Sequence, residues 1–356
     1  MKCLVLCLTF ITGLFLSGCS HTSELTRKYI PNNGTGINFS VIYYIHADAD
    51  YLYHTSEGQP VRDNRDVLTT AFEVGANSRS GEVFIYYQRP IKKILGLIPQ
   101  KSSQLFHFKK GQLITYVKYR HPDKKEAFLT TEAQLIDQYR SQNRDDSHRN
   151  YFLYFGHEIP AESGKNYHRS LPDVDVNAVS FATGIQNFLL SDEDSFDLAV
   201  LSTCNNGTPA MVKHLMPFTH AMLASPQNLH LSHVDSGSMA LLEKEPGISP
   251  LQLGRLMAEG TYHRLEETVH TTITLALYNF EEIGEYIQPL TLLTSSKEAS
   301  DQSIHFQDNV DCTQFPLLDS ESFSKGVETW YKPARFGRPS GQYSHSGWGC
   351  KPSIGN

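Results

Sequence analysis

Tyr151-Phe152-Leu153-Tyr154-Phe155-Gly156-His157 and Phe196-Asp197-Leu198-Ala199-Val200-Leu201-Ser202-Thr203-Cys204 are two short apolar runs, each ending in a reactive side chain. Runs of this length, rich in Val, Leu, Phe and Tyr and followed at once by small or polar residues, read as strands of a parallel sheet buried on both faces. Chemistry in such sheets sits at the carboxyl ends of the strands. If the two runs are neighbours pointing the same way, the imidazole of His157 and the thiol of Cys204 emerge at one edge, a base beside a nucleophile.

Outward from this pair the pattern alternates strand and helix. Residues 37–47 read as a strand closed by the polar turn Asp48-Ala49-Asp50. Residues 62–74 have helical spacing, with Val67, Leu68, Ala71, Phe72 and Val74 towards one side and Gly75 as a stop. A second strand covers 82–88. Residues 104–108 and 113–120 alternate apolar with polar around Lys110-Gly111, which predicts an inserted antiparallel hairpin. Thr131 with Gln134 reads as a capping box opening a helix through Leu135, Ile136 and Tyr139. Residues 177–190 are helical in spacing, with Val179, Phe181, Ile185, Phe188 and Leu189 as the apolar set, and lead into the Cys204 strand. A helix at 209–216, a strand at 220–224 and helices at 250–259 and 266–283 follow. Such alternation predicts an α/β sandwich with a largely parallel sheet. From Ser296 onward the chain is rich in Ser, Gly, Pro and aromatic residues, and its apolar stretches 315–318 and 330–336 predict an irregular extension packed on the core.

The 356 residues are 40% hydrophobic with a formal net charge of -7, the profile of a soluble globular protein of one or two domains. No basic cluster suggests nucleic acid, and no repeat or low-complexity tract is present. Residues 1–18 carry one lysine, an apolar core too short for a stable span and small residues at the end, which reads as a secretory signal. The ending Leu16-Ser17-Gly18-Cys19 resembles the bacterial lipobox, which implies acylation of Cys19 and a polar tether over 19–36. With Ser20 next to it, the resemblance implies an envelope protein anchored at the outer membrane and facing the periplasm. Of the six cysteines, Cys3 and Cys7 then leave with the signal and Cys19 carries lipid. In an oxidising compartment Cys312 and Cys350, both in the loop-rich tail, are the expected disulfide pair. Cys204 is the odd one, either a small buried hydrophobe or a reactive thiol.

At His157 and Cys204 the chain resembles the clostripain-like cysteine peptidases of the caspase-like clan, in which one apolar strand ends in histidine and a later one in cysteine. The likeness runs over residues 37–283, and Thr272-Ile273-Thr274-Leu275-Ala276 resembles a later helix of that family. It implies a caspase-like three-layer sandwich over 37–295 with an extension over 296–356. It also implies an endopeptidase acting on protein or peptide substrates, with His157 and Cys204 as the dyad and neither metal nor cofactor. The backbone N–H groups of Glu158 and Cys204 would then form the oxyanion hole. Two positions depart from the pattern. Glu158 stands where the family usually has glycine, and its carboxylate, if turned inward, would oppose both a thiolate and an anionic intermediate. Ser202 stands where many members have an acid. Relatives often cut after Arg or Lys by means of acidic pocket residues, for which Asp235, and after it Glu243, are the candidates; a solvated loop carboxylate is the other reading of Asp235.

Two further readings compete. His230, His233 and Asp235, preceded by His214 and His220, suggest a metal, but on a strand His233 and Asp235 share a face that His230 leaves, a poor three-ligand set. His157-Glu158 opens no zinc-peptidase helix, because Pro160 breaks it and Ala161 occupies the second histidine's place. The stronger rival is a lipoprotein that keeps the peptidase fold as a binding module without catalysis, for which Glu158 and Ser202 speak.

Overall fold

Side chains alternate across a strand, so a strand buried on both faces must be apolar at nearly every position. In Arg144–Phe155 (β5), Tyr151, Leu153 and Phe155 enter one core cluster while Phe152 and Tyr154 enter another. The computed structural model describes residues 36–47, 52–54, 60–90, 93–94, 98–99, 103–120, 127–161, 174, 176–191, 194–229, 233–292, 323–337 and 344–349. The residues read as a signal, Cys19, most of those read as a tether and both cysteines of the expected disulfide, Cys312 and Cys350, lie outside the described residues.

The central sheet contains Ile37–His46 (β1), Gly81–Gln88 (β2), Ser103–Lys109 (β3), Gln112–Tyr119 (β4), β5, Leu198–Ser202 (β6), Ala221–Ala224 (β7), Ile273–Asn279 (β8) and Val327–Lys332 (β9). Its order is β9-β8-β7-β6-β5-β1-β2-β3-β4. The five central strands from β7 to β2 are parallel, and β8, β9 and the hairpin β3–β4 add antiparallel edges. Two short ribbons, Leu52–His54 with Pro60–Arg62 and Lys93–Ile94 with Ile98–Pro99, stand outside the sheet.

Helices cover both faces, completing the expected three-layer α/β sandwich. Asp63–Asn77 (α1) and Pro250–Thr268 (α6) pack Val67, Ala71, Val74, Leu253, Met257 and Leu265 on the face of Tyr43, Leu153 and Val200. Thr130–Tyr139 (α2), Ala178–Gln186 (α3) and Pro209–Leu215 (α4) pack Ile136, Phe181, Ile185 and Val212 on the face of Tyr44, Phe152 and Leu201. Two single-turn helices, Leu241–Lys244 (α5) and Phe280–Ile283 (α7), and two 3-10 turns, Met216–Phe218 and Gly237–Ala240, follow in the second half, and residues 287–292 are also helical. Among the described residues no helix is long and apolar enough to cross a membrane.

Several local expectations are corrected. Gly75 does not stop α1, which runs on to Asn77, because the bare glycine lets the Phe108 ring lie where a Cβ would come within 2.7 Å of it. The capping box at Thr131 is absent. The N-cap is Leu129 at φ 66 with no side-chain cap bond, and Glu132 is spent on the strands, its Oε1 accepting from Gln88 and Tyr119 at 2.7 and 2.8 Å. The box forms instead at Asn177 and Ser180. Of the helix expected over 266–283 only the ends are helical, in α6 up to Thr268 and in α7; Thr272-Ile273-Thr274-Leu275-Ala276 is β8 from Ile273 on, where β-branched Ile273 and Thr274, both buried, suit the pleat between β7 and β9. Of the segment read as an extension, Val327–Lys332 is the last strand of the sheet itself, while Phe336, expected to be covered, is 75% exposed.

Candidate active site

The strand order reverses between β1 and β5, so the crevice at the carboxyl ends opens beside the end of β5. β5 and β6 are parallel neighbours in the register Leu198↔Tyr151 to Ser202↔Phe155. His157 stands two residues beyond Phe155 and Cys204 two beyond Ser202, so the two leave the same edge at the same level. Gly156 continues the ladder by donating to the Ser202 carbonyl at 3.3 Å. Both His157 and Cys204 are partly buried.

Beyond the strands the two loops are fastened residue to residue. Asn206, 1% exposed, accepts from the Ile159 N–H at 3.0 Å and donates to the Ile159 carbonyl at 2.8 Å. The Thr203 hydroxyl donates to the same Oδ1 at 2.5 Å. Asn205, in the left-handed region at φ 54, donates from Nδ2 to Glu158 Oε2 at 2.9 Å. Asparagine tolerates that backbone conformation better than most residues. The Glu158 carboxylate that would have opposed a thiolate if turned inward is thus engaged by the residue next to Cys204. From the third strand, the Asn205 N–H donates to Gln227 and the Gly207 N–H to Ser225, each at 2.9 Å, which ties the cysteine loop to the loop after β7.

The thiol meets that same loop. Cys204 Sγ donates to Asn228 Oδ1 at 2.9 Å and accepts the Leu229 N–H at 3.4 Å. Ser202 is 1% exposed; its Oγ accepts the Val234 N–H at 2.8 Å and lies 3.2 Å from His233 Nδ1. Burial, then the Arg264 guanidinium and His157 nearby, push His233 down to about 3, so the ring is neutral near pH 7. Its ring also meets Phe155 edge-on at 5.4 Å.

No protein-family model and no curated protein matches the chain. Solved structures to which it is similar include an inactive zymogen C11 protease from Parabacteroides distasonis, 14% identical with a TM-score of 0.47; the match covers 72% of this chain but only 65% of that one. A secreted C11 cysteine protease from Bacteroides thetaiotaomicron is 10% identical, with a TM-score of 0.46 and coverage of 69% and 67%. A structure of a secreted C11 cysteine protease from the same organism with an irreversible peptide inhibitor is 11% identical, with a TM-score of 0.46 and coverage of 75% and 71%.

The remaining candidates divide between the two edges of the sheet. Asp235 follows His233 and Val234 on the carboxyl side, exposed, its Oδ1 accepting the Gly237 N–H at 2.9 Å and its N–H donating to Thr261 at 2.8 Å. Glu243 is on the other side: its Oε2 accepts the N–H and hydroxyl of Ser80, just before β2, at 2.8 and 2.9 Å, which removes it from any pocket at the carboxyl edge. His220 precedes β7 and pairs with Ser195 at 2.7 Å, so the sheet separates it from His233. His230 lies outside the described residues. The histidine-rich segment was legible only as a metal motif; what His233 meets is Ser202. For Asn205, Asn206 and Asn228 the sequence carries one signal, the turn-forming Asn205-Asn206-Gly207 directly after Cys204.

Proposed function

We propose that the chain is a cysteine endopeptidase with Cys204 as nucleophile and His157 as general base and acid. The observation that carries this reading is the register: adjacent parallel strands with Phe155 opposite Ser202, each followed two residues later by a member of the pair. Proton transfer from Cys204 to His157 would generate the thiolate, which attacks the carbonyl carbon of a peptide bond. The S–C bond forms, the C–N bond breaks, and the imidazolium gives its proton to the departing amine. Water, deprotonated by His157, then cleaves the thioester and frees the carboxylate and the thiol. The N–H groups of Glu158 and Cys204 would stabilise the oxyanion, each worth about 3–4 kcal/mol of barrier. Asp235 is the proposed acid for a basic side chain of the substrate, its support being its place on the carboxyl side of the sheet.

The enzyme would work from a membrane surface, held by acyl groups on Cys19 after removal of residues 1–18, with Cys312 and Cys350 joined in the periplasm. Mass analysis of the mature amino terminus checks the first point and of non-reduced peptides the second. A specific observation favours a second reading, a binding module of the same fold: the thiol is engaged by Asn228. The discriminating experiment incubates the purified full chain with a peptide library and identifies products by mass. New termini that vanish in Cys204→Ala and form about 10²–10⁴ times more slowly in His157→Ala are expected. Products unchanged in Cys204→Ala would refute the peptidase.

A further inference from the structure

We propose that Asn228 is a catch on the nucleophile, holding Cys204 as a thiol until an occupant of the crevice displaces it. This rests on Cys204 being the nucleophile, and it adds a control on that site. The contact is directional. Cys204 Sγ is the donor and Asn228 Oδ1 the acceptor at 2.9 Å, and a carbonyl oxygen can pair only with the protonated sulfur. The Leu229 N–H, at 3.4 Å, is the opposing influence, a donor that favours the anion. Neighbouring residues thus pull the proton equilibrium in opposite directions, and the shorter contact keeps the proton. The catch sits on a braced loop, since Gln227 accepts the Asn205 N–H and the Ser225 hydroxyl on its carbonyl, and its side chain accepts from Thr274 of β8. Rotation of the Asn228 side chain releases the sulfur. Once it does, the sulfur keeps a backbone donor and is free to lose its proton to His157.

The test is the rate of Cys204 alkylation by iodoacetamide between pH 5 and 9, read by intact mass on the full chain. Wild type, Asn228→Ala, Asn228→Asp and His157→Ala are compared. Asn228→Ala should react about fivefold faster at neutral pH, with its profile displaced to lower pH. Asn228→Asp should react more slowly than wild type, because a carboxylate beside the sulfur repels a thiolate. A merely structural role would move both variants in one direction, and if Asn228→Ala does not fold, Asn228→Asp still decides. Asn228→Ala no faster than wild type, or Asn228→Asp no slower, overturns the catch. If in addition His157→Ala leaves the wild-type profile unmoved, the pairing of His157 with Cys204 fails as well; a slowed His157→Ala beside an unresponsive Asn228 retires the catch alone.

Discussion

The amide of Asn206 spends both its polar atoms on the backbone of Ile159, and so fixes the loop that carries His157 to the loop that carries Cys204. Asn206→Ala would leave a buried N–H and a buried carbonyl without these bonds, at about 1–3 kcal/mol each. The expected result is a lower urea midpoint together with slower alkylation of Cys204; a midpoint within error of wild type would contradict it. Glu158 follows the same logic one residue earlier. In the sequence it looks like a defect in an oxyanion loop, but in the fold it receives the amide of Asn205. His157 and Cys204 could be recognised in the sequence because each closes an apolar run. Asn228 could not, because it lies 24 residues from Cys204 and only the parallel pairing of β6 with β7 brings their loops together.

Elements whose two faces are both buried were the most legible. β1, β2, β5 and β6 have long apolar runs, and the hairpin has Lys110 and Gly111 at φ 51 and 79, a two-residue turn of the kind that the Lys-Gly pair signals. Legibility failed where tertiary contact overrode a local rule. Residues 273–279 became a strand because the edge of β7 was open to pair with them, and Gly75 stayed inside α1 because Phe108 needed the space. Gly75→Ala tests the second point. Helix propensity alone would raise stability by about 1 kcal/mol, but a Cβ 2.7 Å from a ring that is 5% exposed overpacks the core at about 1–3 kcal/mol. A lowered urea midpoint is expected, and a raised one would show that Phe108 yields.

At the scale of the molecule, the described carboxyl-terminal segments belong to the core. β9 closes one edge of the sheet, Trp348 lies 4.8 Å from the Tyr278 ring and donates to the Phe323 carbonyl at 2.7 Å, and the Tyr278 hydroxyl donates to the Gly347 carbonyl at 2.8 Å, with the Gly207 carbonyl 3.1 Å away. Trp348→Ala should cost about 3–5 kcal/mol in a denaturant titration, whereas a loss under about 1 kcal/mol would make the segment peripheral. Acid sensitivity is also global. Burial pushes His345 down to about 3, as burial, Arg264 and His157 do for His233, against 6.5 for the unstrained ring. Between those values the unfolded chain binds up to two more protons than the native one at these positions. Their contribution is therefore fully present above pH 6.5 and lost as pH falls towards 3. His345→Asn, which keeps an acceptor for the Gly347 N–H, should show a shallower fall in Tm below that pH; an unchanged slope would assign the effect elsewhere. A working His157–Cys204 pair is tested most directly by intact mass after exposure of the full chain to a panel of peptide acyloxymethyl ketones. One covalent adduct on Cys204, absent in Cys204→Ala and strongly slowed in His157→Ala, is predicted. No adduct with any peptide on the folded protein, or one indifferent to His157, would contradict it.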